Sequence, residues 1–307
     1  RNRTLTHTGS KNILITGASG MVGRALTARL CDEGYTVYRL ERNSTTAPFY
    51  YLQASNRVIL DPHIALFAVI NLAGPSIADK RWTEARKRFI LQSRERLTSA
   101  LADALSSVAI KPALLLSASA VGFYGEGDHI IADENSPAGS DFLADVAQQW
   151  EQATAAAEQA GINTIHLRFG VVLSPSGGML KQLLLPFKLG LGGPIGDGQQ
   201  FLSWISLVDV VDIISFLLEH QPVVAAINLV ADTPATSRDF SKALASQLNR
   251  PSFLPMPAPM VKLLFGEMGK VLLLGSSRVQ SSKLADLGVT LKHPTLFSTF
   301  QAILAKS

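Results

Sequence analysis

Asn12-Ile13-Leu14-Ile15-Thr16-Gly17-Ala18-Ser19-Gly20-Met21-Val22-Gly23 is the stretch that decides the fold. A short apolar run enters a glycine-rich turn. Helical spacing then takes over from Arg24 to Glu33, with Ala25, Leu26, Leu30 and Cys31 on one side. Gly17, Gly20 and Gly23 fall at i, i+3 and i+6. The first lets the turn tighten, the second lets backbone approach a pyrophosphate, and the third lets helix pack closely on sheet. Around them, Ser19, Met21 and Val22 complete a helix N-terminus whose N–H groups and partial positive charge suit phosphates. In this strand–turn–helix context the pattern points to a dinucleotide; out of context it would be only a tight turn.

The next strand, Tyr35–Leu40, runs into Arg39-Leu40-Glu41-Arg42-Asn43. An acidic residue here bonds the ribose 2′-OH of NAD, and an arginine accommodates the 2′-phosphate of NADP. Glu41 argues for the first and Arg42 for the second. The bidentate grip of arginine on phosphate tips the expectation to NADP(H). The bland alternative is that both residues are solvated turn charges.

The alternation continues. Strands are expected at 65–72, 112–117 and 164–168, and long helices over 82–105 and 142–160. This predicts an α/β fold with a Rossmann-type doubly wound parallel sheet. After Gly170 the texture changes to Gly/Pro-rich segments at 174–178 and 190–198, and to Pro251, Pro255, Pro257 and Pro259. Residues 11–170 with about 201–233 are therefore expected to form the nucleotide-binding domain. Residues 171–200 with about 234–307 would form a small C-terminal substrate lobe. Arg1–Ser10 reads as a vector remnant or frayed end.

Composition limits the alternatives. The chain of 307 residues is 47% hydrophobic and 17% charged, which is globular, and its 28 basic and 24 acidic residues leave only +4. One cysteine excludes a disulfide framework and fits a reducing, cytoplasmic setting. No apolar run reaches the ~18 residues of a membrane span, and no signal-peptide pattern opens the chain. Six histidines make no ligand pair at metal spacing. Seven basic and three acidic residues between Asp79 and Arg96 suit an anionic ligand or a solvated helix face. Only Trp82 and Phe89 interleave them, which does not make an aromatic stacking platform for nucleic acid.

With Thr16–Gly23, Asn71-Leu72-Ala73-Gly74, Ile77–Trp82, Ser93-Arg94, Ser119–Gly125, Trp150-Glu151, Arg168–Leu173, Leu185–Gly198 and Trp204-Ile205 in view, the chain resembles the extended short-chain dehydrogenase/reductase superfamily. More narrowly it resembles the atypical epimerase family branch of the YfcH type, through Gly266-Glu267, Leu272–Gly275 and Lys283-Leu284 as well. The resemblance implies NADP(H) on Gly17–Gly23 with Arg42 near the 2′-phosphate. It also implies Leu72, Ala73 and Gly74 beside the cofactor, Arg94 reaching it from the long helix, and Val171 close to the nicotinamide. Many extended members pair two such helices in a homodimer. The epimerase label of this branch reflects fold more than reaction.

The superfamily's chemistry uses Ser or Thr, a Tyr, and a Lys four residues on that lowers the Tyr pKa. None of the five tyrosines has Lys at that spacing, and Phe142 stands near the expected Tyr. Ser119 survives as the candidate that holds a substrate oxygen, and Tyr124 is the nearest phenol, a substitute acid or a packing residue. In Trp204-Ile205-Ser206-Leu207-Val208-Asp209, Ser206 stands where relatives carry His, and Asp209 should cap or anchor a helix. Asp133-Glu134 are loop charges, caps or cleft carboxylates. His166 should be a satisfied core residue. Phe187, Phe201 and Trp204 line a ring pocket or form lobe core.

Two functions follow as expectations. One is an NADP(H)-dependent oxidoreductase or nucleotide-sugar epimerase-like enzyme on a small molecule. The other is a non-catalytic NADP(H) sensor or scaffold. Neither needs nucleic acid or a membrane.

Overall fold

The computed structural model describes residues 10–305. Residues 1–9, most of the expected terminal remnant, lie outside them. Six parallel strands form the central sheet: β1 (Asn12–Thr16), β2 (Thr36–Arg39), β3 (Ala68–Asn71), β4 (Leu114–Ala120), β5 (Asn163–Phe169) and β6 (Ala226–Leu229). Their order is β2-β1-β3-β4-β5-β6. The chain leaves β1 in one direction for β2 and crosses to the other side for β3. The crevice between the carboxyl ends of β1 and β3 is therefore the topological switch point, where such sheets bind ligands.

Ten α-helices accompany the sheet among the described residues: α1 (Met21–Asp32), α2 (Glu84–Ser107), α3 (Phe142–Gln152), α4 (Ala155–Gln159), α5 (Gly178–Lys188), α6 (Leu207–His220), α7 (Ser237–Leu248), α8 (Ala258–Leu272), α9 (Ser282–Asp286) and α10 (Leu296–Leu304). Strand residues alternate between faces. Ile13, Ile15, Ile70, Leu116 and Leu167 pack under α1 and α6. Leu14, Val69 and Leu115 pack under α2. Near-continuous apolar strands are what a sheet covered on both faces requires.

The helix expected over 142–160 is two. Thr154, fully buried, turns its hydroxyl onto the Glu151 carbonyl (2.7 Å) and the Glu158 carboxylate (2.6 Å), and α3 stops there. The nine further short strands among the described residues, Phe49–Leu52, Arg57–Leu60 and Gly127–Ala132 among them, do not follow from the sequence pattern. Beyond the central sheet, α5, α7, α8, α9 and α10 are accompanied by three small ladders. Val171–Leu173 pairs Trp204–Ser206, Phe201-Leu202 pairs Ala235-Thr236, and Ser277–Val279 pairs the 127–132 strand. Met268 of α8 packs with Trp82, Ile90 and Val146, so α8 rests on α2 and α3.

Candidate functional site

The turn after β1 is a cradle that only glycine permits. Gly17 has φ +68°, and a Cβ there would lie 2.7 Å from the Leu72 carbonyl oxygen. A Cβ on Gly23 would lie 2.4 Å from the Gly17 carbonyl oxygen. At the opening of α1, Gly20 places no side-chain cap on the helix, and the first turn holds no acidic residue. The N-terminal N–H groups and the helix dipole thus face the crevice with no internal anion. Ser19 and Gly20 are exposed, Met21 and Val22 half-buried. These features fit a dinucleotide pyrophosphate.

Across the switch point, Thr16 ties the two strand ends together. Its hydroxyl donates to Asn71 Oδ1 (2.6 Å) and accepts from the Leu72 and Ala73 N–H groups (3.1 and 3.2 Å). Asn71 Nδ2 donates to Thr98 and Ser117. Leu72, Ala73 and Gly74 therefore follow β3 directly past Gly17. Arg94, 7% exposed, reaches this segment from α2. It donates to the Pro75 carbonyl (2.8 Å) and lies over the Trp150 ring. Burial, with Arg86 adding to it, lowers its pKa to about 10. Glu41 and Arg42 are exposed beyond β2, with Arg42 paired through its backbone to Tyr51. Val171 bonds its N–H to the Ser203 carbonyl (2.9 Å) at the start of the next ladder.

The sheet face under α2 and α3 changes character along the strands. It is apolar at Leu14, Val69 and Leu115 and polar at the carboxyl ends. One row across the register reads Thr16, Asn71, Ser117, His166. The next reads Ser119, Arg168, Asn228. Into this second row α3 sends Glu151. Ser119 Oγ donates to Glu151 Oε1 (2.7 Å), and Arg168 meets both carboxylate oxygens (2.8 and 2.9 Å). Arg168 Nη1 also donates to the Tyr124 hydroxyl (2.8 Å), which donates to Asn228 Oδ1 (2.8 Å). The Arg168 guanidinium stacks 3.5 Å over Phe123.

The charges in this row have clear causes. Burial opposes the Arg168 charge, but the hydrogen bonds and charge of Glu151 and the contact with Tyr124 outweigh it, and its pKa is raised. Burial raises the Tyr124 pKa despite Arg168, so the phenol is neutral at pH 7. The phenol spends both its hydrogen bonds inside the row. Ser119 is 2% exposed. Glu151 and Arg168 carried no role in the sequence reading beyond matching a family. A charged residue within the apolar run of β5 is the signal that asks for a buried counter-charge.

The remaining candidates separate. Ser206 caps α6 by accepting from the Asp209 N–H (3.0 Å), and Asp209 in turn accepts from the Lys292 and His293 N–H groups. Glu134 accepts from Asn228 N–H, Ser281 and Ser282, while Asp133 stays in its loop. The reading of His166 as fully satisfied is corrected: Nε2 is 3.3 Å from Glu158, but buried Nδ1 has no partner. Phe187 and Phe201 line a cavity, whereas Trp204 is buried in the core.

The chain matches the NAD dependent epimerase/dehydratase family over residues 13–229, and a domain of unknown function, DUF1731, over 256–303. It is 37% identical over 288 residues to epimerase family protein Mb2239 of Mycobacterium bovis, covering 92% of this chain and 94% of that one. It is 35% identical over 272 residues to epimerase family protein YfhF of Bacillus subtilis, covering 86% and 88%. A crystal structure of human epimerase family protein SDR39U1 with NADPH superposes at TM-score 0.87, with 30% identity over 96% of this chain and 100% of that one. With its glycine cradle at the switch point of a six-stranded parallel sheet, the chain belongs to the NAD dependent epimerase/dehydratase family.

Proposed function

We propose that the protein is an NADP(H)-dependent oxidoreductase of the atypical, YfcH-like branch, in which Ser119 and Glu151 do the proton handling that Tyr and Lys do elsewhere. The observation that carries the proposal is the 2.7 Å hydrogen bond from Ser119 to a carboxylate already compensated by Arg168. The NADPH in the human SDR39U1 structure supports the choice of cofactor. Gly17–Gly23 would hold the pyrophosphate and Arg42 the 2′-phosphate, with Leu72, Ala73, Gly74 and Val171 along the remainder. The bound dinucleotide supplies a hydride donor or acceptor.

The residues of the chain then divide the work. Ser119 donates its proton to Glu151, so its lone pairs are left to accept from a substrate hydroxyl. As that alcohol is oxidised, its C–H leaves as hydride and its O–H proton passes to Ser119 while the Ser119 proton passes to Glu151. Reduction runs the same path backwards. Arg168 fixes the Glu151 carboxylate in place through two parallel bonds. Tyr124, held by Arg168 and Asn228, positions the guanidinium and stands outside the relay. With Ser119 nearly closed to solvent, only a substrate oxygen seated against the end of β4 reaches it. That same closure favours a second reading, in which the nucleotide binds without turnover.

Calorimetric titration with NADPH and NADH tests the cofactor. In Arg42→Ala, NADPH binding weakens by about 1.5–3 kcal/mol and NADH binding is unchanged. Failure of the wild type to bind either nucleotide overturns the proposal. Oxidation of bound NADPH by phenanthrenequinone, lost in Glu151→Gln with nucleotide affinity retained, separates turnover from binding alone.

A further inference from the structure

The small lobe encloses a cavity of about 150 Å³ between α5, α7 and the Gly-rich segment. Met179, Leu183 and Phe187 form one wall, Phe201, Phe240 and Met256 the others. No charged side chain lines it; the polar ones are Gln200, Ser237 and Ser241. Both Gln200 amide bonds go to backbone, at the Ile195 and Leu273 carbonyls (2.9 Å each). Ser237 accepts from the Ile195 N–H (3.1 Å). These two groups hold the wall together.

The cavity is framed by tight packing. Gly192 passes Phe187 so closely that a Cβ would lie 2.5 Å from the ring, and Gly193 would place one 2.2 Å from the Leu254 carbonyl oxygen. Its rim is apolar as well. Leu191 and Leu254 line it while being 60% and 44% exposed, and Leu189 beside them is 64% exposed. A soluble surface keeps such leucines apart unless something covers them. The same helix that walls the cavity begins against the nucleotide turn: a Cβ on Gly177 would lie 3.1 Å from Met21 Sδ.

We infer that this cavity is a dry subsite for the apolar end of the substrate: an aromatic ring or a short hydrocarbon stretch. As part of a substrate site the inference rests on the oxidoreductase reading above; as an apolar binding site it does not. Size decides how much enters. An apolar cavity of this volume takes roughly one benzene-sized ring. That is below the ~300 Å³ at which sites for whole drug-sized ligands begin. The polar, reacting end of the molecule must therefore lie outside it. Charge decides what is excluded. A diphosphate needs charge-assisted donors, and none faces this space.

The NADPH-loaded full chain is titrated with indole and n-hexanol as apolar probes and with uridine diphosphate as a charged one, read by ligand-observed NMR. Indole and hexanol bind and compete with each other, and uridine diphosphate displaces neither. Leu183→Trp, which fills the cavity, and Leu191→Glu, which charges its exposed rim, each weaken the apolar probes by about tenfold or more. Both variants keep the NADPH affinity of the wild type, and Leu191→Glu covers the case in which the filled variant fails to fold. Absence of apolar binding to a wild type that takes NADPH overturns the subsite and leaves the cofactor reading standing. So does indole binding that both variants retain, or its displacement by uridine diphosphate. Apolar binding without any NADPH binding does the reverse.

Discussion

Arg168 and Glu151 meet edge to edge, Nε to Oε1 at 2.8 Å and Nη2 to Oε2 at 2.9 Å, with side chains only 8% and 12% exposed. Removing one partner of such a pair strands a buried charge. Arg168→Met is expected to cost about 3 kcal/mol of stability, and Glu151→Met a similar amount. The double variant, with apolar side chains in both places, should recover most of the loss. Urea denaturation of the four proteins measures this; single variants as stable as the wild type would contradict it.

The three glycines of the nucleotide turn should not respond alike. Gly23→Ala forces a Cβ to 2.4 Å from backbone, and Gly17→Ala adds a left-handed φ to a 2.7 Å approach. At Gly20 the nearest atom is 3.3 Å away. NADPH affinity is expected to collapse in the first two and to fall only slightly in Gly20→Ala. Equal losses at all three positions would mean that the cradle geometry is not what matters.

His166 sets an acid limit. Burial lowers its pKa from 6.5, against the opposing pull of Glu151 and Glu158. The unfolded chain therefore binds this proton more readily than the folded one. The two states are equally uncharged at this residue well above pH 6.5, and folding loses stability as pH falls through and below that value. Melting temperatures taken from pH 8 to pH 5 should fall, and the slope should be shallower in His166→Leu. An unchanged slope in the variant would assign the acid lability to other groups.

Arg94 tethers the segment after β3 through the Pro75 carbonyl and its own helix through Ile90. Arg94→Met keeps the stem over Trp150 and removes both bonds. Faster amide hydrogen exchange is expected across Gly74–Ile77, together with weaker NADPH binding. Exchange at the wild-type rate would show that the segment is held by other contacts.

The glycine turn and the parallel sheet were legible because they depend on local pattern: glycine spacing, apolar runs and helical periodicity; the strand order that sets the switch point was not. Ser119 came from the family resemblance, by its distance from a strand expected to end at Ser117; in the structure it lies within β4. Glu151 and Arg168 lie 17 residues apart on different elements, and only strand register and the end of α3 bring them together. The strand at Gly127–Ala132 was invisible because its partner, Ser277–Val279, lies far along the chain. The break after α3 depends on one threonine choosing a carbonyl over the helix, which periodicity does not register.

Two carboxylates join regions of the sequence that match separate families. Glu134 binds Ser281 and Ser282 while accepting the Asn228 N–H, and Asp209 holds the backbone of Lys292 and His293. The first family match ends at residue 229 and the second begins at 256. At these two stitches the acceptors come from the first half and the donors from the second, while bonds such as Gln200 Nε2 to the Leu273 carbonyl cross the seam in the other direction. Cutting the gene at that seam would leave half-bonded ends on both fragments. The last fifty residues are consequently not a portable module that could be grafted onto another sheet of this kind: a recipient would need an acidic side chain at both stitches, and a swap lacking them should yield inclusion bodies instead of chimaeras.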